Sequence, residues 1–115
     1  MIIQRLKKRS DFLRIAKSGK KYVCPAFILQ MDSTPLLFLS NEEVRFGVTA
    51  SKKVGNAVKR NRAKRRIRAL ILGSKENLRQ NHDYVLIARH AIFDREFAKM
   101  QADLQEALIR IHESK

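Results

Sequence analysis

The spacing of apolar residues changes between residues 44 and 72, and that change limits the folds open to this chain. Val44, Phe46, Val48 and Ala50 alternate with Arg45, Gly47 and Thr49. A period of two marks a strand, here with the apolar set turned inward and Arg45, Gly47 and Thr49 outward. Past Gly55 the period lengthens. Asn56 is placed to cap a helix that runs to about Leu72, with Gly73 at its end. At 100° per residue, Ala63, Ile67, Leu70 and Ile71 fall within one arc of roughly 100°. Arg62 and Arg65 point nearly opposite, Asn61 and Arg68 lie on one shoulder, and Lys64 and Arg66 flank the two sides. Strand and helix each have one apolar face, so both must share a core.

The flanking sequence supplies the other layers. Residues 10 to 18 form a short helix, with Ser10 as N-cap, Asp11 in the first turn, and Phe12, Leu13, Ile15 and Ala16 on the apolar side. Gly19 stops it. Residues 22 to 31 are extended. Pro25 within them marks an edge position or a break before a longer strand from Ala26. A turn at 32 to 35, a short apolar run at 36 to 39 and a polar connection at 40 to 43 follow. Residues 83 to 89 form a second buried strand. A last helix spans 94 to about 113, with Phe97, Leu104, Leu108 and Ile111 at helical spacing. The order is helix, strands, helix, strand, helix, in a single domain of 115 residues. Phe46 and Phe97 belong to the core on this reading. Phe12 is divided between core and exposed platform.

Charge narrows the function. Lys and Arg number 25 against 11 Asp and Glu, a net charge of +14, while 44% of the residues are apolar. The chain therefore folds, and its charge calls for a polyanionic partner, nucleic acid before anionic membrane. Nine basic residues lie between positions 52 and 68: Lys52, Lys53, Lys59, Arg60, Arg62, Lys64, Arg65, Arg66 and Arg68. No acid occurs from Val44 to Lys75. Like charges three and four apart repel along a helix, so a merely solvated face would intersperse Glu. Phosphates would neutralise the pattern, each Arg fork holding oxygens bidentately. Asn61 could donate to a phosphate or a ribose hydroxyl, or cap locally.

Several classes drop out. No run approaches the ~20 apolar residues of a membrane span, and the N-terminus has no signal-peptide pattern, so a cytoplasmic protein is expected. Cys24, the only cysteine, fits a reducing compartment and a small buried hydrophobe. There is no zinc spacing, no helix-turn-helix and no Gly-rich phosphate loop. His82, His90 and His112 are isolated, and the carboxylates are scattered. Neither metal-dependent nor acid-base cleavage has its residues here, so no catalytic side chain, no metal site and no organic cofactor are expected. Charge alone does not separate DNA from RNA.

The run from Phe46 to Arg68, FGVTASKKVGNAVKRNRAKRRIR, resembles the hallmark segment of the bacterial ribonuclease P protein family. Its Arg-Asn-Arg core, Lys-Arg pair and further Arg are here Arg60, Asn61, Arg62, Lys64, Arg65 and Arg68. The resemblance extends to Leu6, Lys7, Lys8, Asp11, Phe12 and Gly19, and to the strand from Asp83 to Arg89. It implies an α+β fold, an α/β sandwich of order αβββαβα with a central mixed sheet and a left-handed βαβ crossover, against the usual rule. It implies that a catalytic RNA subunit cleaves the 5′ leader from precursor tRNA with Mg2+ bound mainly by that RNA. The partners are then the catalytic RNA and the precursor-tRNA leader, with no membrane and no obligate protein partner. The RNA-binding residues carried over are Lys52, Lys53, Lys59, Arg60, Asn61, Arg62, Lys64, Arg65 and Arg68. Phe12, Thr49 and Arg89 carry over to the leader cleft. Two further aromatic positions of some members fall on Ala16 and Gln30. The cleft should thus be less aromatic and lean more on its lysines. A general RNA binder of ribosomal type shares the charge without the motif, and an autonomous nuclease would cut without an RNA subunit.

Overall fold

The computed structural model describes residues 2–39 and 43–113. Five strands form one mixed sheet in the order β1-β4-β5-β3-β2. They are β1 (Ile2–Arg5), β2 (Lys20–Val23), β3 (Phe27–Ser33), β4 (Glu43–Thr49) and β5 (His82–Ala88). The helices are α1 (Arg9–Ser18), α2 (Ala57–Leu72) and α3 (Phe97–Glu113). β4 pairs in parallel with β1 and with β5, while β3 pairs antiparallel with β5 and with β2. β1 precedes the first helix, and from α1 onward the chain runs helix, three strands, helix, strand, helix.

The break at Pro25 separates β2 from β3, as the missing N–H of proline predicts. One face of the sheet carries Phe27, Leu29, Val44, Phe46, Tyr84 and Leu86 against Ala63, Ile67, Leu70 and Ile71 of α2. Met100, Leu104, Leu108 and Ile111 of α3 close the same core. All four residues of the predicted α2 stripe are buried. The opposite face holds a smaller cluster, Leu6, Ile15 and Val85 with Phe12 and Ile87 packed on it. Helices therefore cover both faces, α1 on one and α2 with α3 on the other.

Several local expectations are corrected. α1 begins at Arg9 with Lys8 in the cap position and no side-chain cap, so Ser10 is inside the helix. Leu13 and Ala16 are exposed; only Ile15 is fully buried on that helix. Phe97 is 41% exposed at the start of α3, whereas Phe46 is core. Val44, Arg45, Phe46 and Gly47 are all buried, because α1 roofs the face that alternation alone assigns to solvent. The apolar run at 36 to 39 forms a 3-10 turn, Leu36–Phe38, and stays exposed. The polar connection expected at 40 to 43 falls, up to Glu43, outside the described residues.

Candidate nucleic-acid interface

The basic segment opens with a short turn. Lys52–Val54 is a 3-10 turn in which Ser51 Oγ accepts from the Lys53 N–H at 3.3 Å. Buried Val54 anchors it, leaving Lys52 and Lys53 exposed. Gly55 then takes φ +139°, a conformation L side chains rarely adopt, and lets the chain reverse into α2. Asn56 Oδ1 accepts from the Lys59 N–H at 3.0 Å and caps the helix. Past the cap, Lys59, Asn61, Arg62 and Arg65 are exposed. Arg60, Lys64 and Arg68 are half-buried on the shoulders. Arg60 Nη1 donates to the Gly55 carbonyl at 3.4 Å. Arg66 serves the fold instead: its Nε donates to Ile92 O at 2.8 Å and its Nη2 to Arg95 O at 3.3 Å.

Beside this ridge lies an uncovered strip of sheet. Cross-strand pairing lines up Thr49, Ile87, Ile28 and Val23 in one row on the α1 face. Four residues back, about 13 Å along the strands, the row is Arg45, Asp83 and Asp32. Here α1 is fastened. Arg14 pairs with Asp83 and, at 2.9 Å, with Asp32; Arg45 reaches Asp11 at 3.0 Å and Asp83 at 3.2 Å. Thr34 donates its hydroxyl to Asp83 at 2.8 Å. Burial alone pulls the Arg14 guanidinium down, but its hydrogen bonds and charge contacts with Asp83 and Asp32 raise it overall. α1 is thus clamped over one end of the sheet, and the Thr49 end stays open.

Phe12 closes the near side of the strip. Its ring rests on Gly47, where an added Cβ would lie 2.5 Å from two ring carbons. Phe12, Thr49 and Lys64 line a common hollow of about 330 Å³. A larger hollow of about 660 Å³ follows along the strip, bounded by Ile28, Ile87, Lys53 and Arg89. Arg89 Nη1 donates to the Cys24 carbonyl at 2.8 Å, which holds the guanidinium on the rim. Gln30 is 8% exposed, set between Val85 and the row of Lys21. Sequence reasoning missed Lys7 and Arg9, which share the Phe12 hollow; the basic cluster ahead of α1 was the signal. Ser51 and His90 on the second hollow left none. Lys52 of the turn and Lys59, Arg60, Asn61, Arg62, Arg65 and Arg68 of α2 line neither hollow and form a separate ridge.

An acid-free arginine ridge next to an open, partly apolar groove defines a nucleic-acid-binding α+β protein. A sequence model described as Ribonuclease P matches residues 3–112. A Ribonuclease P protein component from Paramagnetospirillum magneticum is 41% identical over 110 residues, covering 95% of this chain and 83% of that protein. The RNase P protein of Staphylococcus aureus superposes with a TM-score of 0.73 at 31% identity, over 95% of this chain and 94% of that one. That of Thermotoga maritima gives 0.77 at 28% identity, over 94% and 97%. The chain belongs to the ribonuclease P protein family and is a protein component of that ribonucleoprotein.

Proposed function

We propose that the α2 ridge grips the catalytic RNA of ribonuclease P while the open strip takes the single-stranded 5′ leader of precursor tRNA. The residues for the catalytic RNA are Lys52 and Lys53 of the turn and Lys59, Arg60, Asn61, Arg62, Lys64, Arg65 and Arg68 of α2, of which Lys53 and Lys64 also border the strip. The leader residues are Phe12, Thr49 and Arg89, with Lys7 and Arg9 added by their place on the Phe12 hollow. The observation that carries the reading is the division of α2: Ala63 and Ile67 are buried in the core while Arg62 and Arg65 are exposed. Exposed guanidiniums beside an open hollow suit two RNA segments held side by side.

The protein's part is binding and positioning. Backbone phosphates meet the lysines and arginines, and a base can stack on Phe12, which contributes roughly 1–3 kcal/mol where it occurs. Mg2+ supplies the Lewis acid for hydrolysis when bound by the RNA. Asp11, Asp32 and Asp83 do cluster, but Arg14 and Arg45 engage all three, so this donor set does not fit a resident divalent ion. A cytoplasmic location follows from the partners.

The test is cleavage of precursor tRNA by the cognate catalytic RNA at low Mg2+. Adding the protein should lower KM for substrates with a leader and leave leaderless substrates little changed. An equal effect on both would sink the leader assignment. Enrichment of ribosomal RNA alone in a pull-down would point instead to a general structural RNA binder. The protein without RNA should cut nothing.

A further inference from the structure

The far end of the sheet carries a second set of basic groups that neither the ridge nor the strip uses. Where β3 ends and β5 begins, a hollow of about 220 Å³ opens among Lys20, Asp32, Ser33, Arg79, His82 and His112. The strip's outer end, at Ile87, lies five residues further along β5 than His82, about 17 Å away. The two sites therefore cannot share one nucleotide.

The walls are organised. The His82 and His112 rings meet edge to face, with centroids 5.0 Å apart at 86°. Tyr84 Oη lies 2.6 Å from His112 Nε2 and also accepts the Arg79 backbone N–H at 2.9 Å. His82 Nδ1 sits 2.9 Å from the Gln80 carbonyl, which fixes the proton on that nitrogen. Among the described residues the wall holds one carboxylate, and it is engaged: Asp32 Oδ2 accepts from Arg14 Nη1 and Oδ1 from the Ser33 N–H, each at 2.9 Å. α1 ends on this rim, but its Ile15 carbonyl is taken by the Gly19 N–H at 2.9 Å. Lys20 and Arg79 both line the hollow, and their positive charge reaches His112. The imidazole of His112 senses it: burial first, then the positive charge of Arg79, His82 and Lys20, lower its pKa to about 4.

A compact hollow with two cations, two imidazoles and a hydroxyl-bearing rim matches a tetrahedral oxyanion, which accepts from donors converging on several sides. We infer that the hollow between Lys20, Arg79, His82 and His112 is a phosphate-binding site, separate from the leader strip. The phosphate is either inorganic phosphate or a phosphate group of bound RNA. With phosphate seated, protonating His112 adds a charged donor in place of a repelled cation, so the anion and the proton bind together. The groups facing that proton are Lys20 from β2, Asp32 with its Arg14 partner, Arg79 from the loop, His82 and Tyr84 from β5.

The experiment follows the imidazole signals of the intact protein by NMR while inorganic phosphate is added at constant ionic strength. The His112 pKa should rise by about one unit or more, and chloride should not reproduce the shift. In Arg79→Ala the starting pKa should already be higher and the phosphate response small. Lys20→Gln, which keeps the stem, should weaken the response without moving the fold. A second arm adds a short unpaired RNA with and without a terminal phosphate. A shift with either RNA assigns the site to RNA phosphate, diester or terminal respectively; a shift with inorganic phosphate alone assigns it to the free anion. No shift with any of them, or an equal shift with chloride, overturns the proposal. Precursor-tRNA cleavage enters neither arm, so failure here leaves the leader reading intact.

Discussion

Asp83 is fully buried and accepts from Arg14, Arg45 and Thr34. A buried carboxylate survives only with such partners, and removing it leaves two guanidiniums uncompensated beneath α1. Asp83→Ala should therefore cost about 3–5 kcal/mol in urea unfolding. A loss under 1 kcal/mol would mean that solvent reaches the cluster. None of this was legible locally, because Arg45 sat at an outward position of an alternating strand and its partner lies on another strand. Cys24 was legible. Apolar neighbours marked it as a small hydrophobe, and it is 4% exposed. Burial first, then the nearby Asp103 and Glu106 charges, push its thiol up to about 11. At pH 8 it should react with a thiol reagent about a hundredfold more slowly than an exposed cysteine, from thiolate fraction alone. Urea should abolish the difference. An equal rate in the folded protein would contradict the buried placement.

Among the elements, α2 was read most completely, since a helical stripe and a cap are local signals. Its two sides should separate in mutants. Ile67→Ala should cost about 2–5 kcal/mol of stability, whereas Arg65→Ala should leave the circular dichroism and unfolding midpoint unchanged and weaken RNA binding. Loss of fold in Arg65→Ala would show that the ridge has a structural task. β1 was not legible: four residues with two apolar ones carry no period, and the strand exists through its parallel pairing with β4. Phe97 was misplaced because helical spacing extends beyond the point where the core ends. The strip was legible only in part. Thr49 and Phe12 were found, but Gly47, which seats the Phe12 ring, was read as a plain outward position. Gly47→Ala must displace that ring. It should raise KM for leader-bearing substrate while assembly with the catalytic RNA, read by gel shift, stays as in the parent. Equal loss of both would place Gly47 in the general fold.

At the scale of the whole molecule, acid stability should depend in part on the sheet end that carries His112. The imidazole is held near a pKa of about 4 in the folded chain, against about 6.5 when unfolded. Between those values the unfolded chain binds the extra proton and the folded one does not. Stability is therefore full above pH 6.5, falls as the pH drops toward 4, and changes no further from this group below it. The full shift would correspond to about 3 kcal/mol, but the ring is half-exposed and solvent screens part of it. A loss of about 1–2 kcal/mol is expected, roughly 5–10 °C in Tm for a domain of this size. His112→Gln, which keeps an acceptor near Tyr84, should flatten this part of the profile. Persistence of the same slope in that variant would assign the acid sensitivity to other groups. Phosphate should flatten it too in the parent protein, because an anion in the hollow raises the folded-state pKa toward the unfolded one. The sensitivity was hidden in the sequence, where His82 and His112 stand far apart and were read as isolated. Folding brings the start of β5 against the end of α3, and only there do two imidazoles, Tyr84 and the Arg79 loop share one hollow.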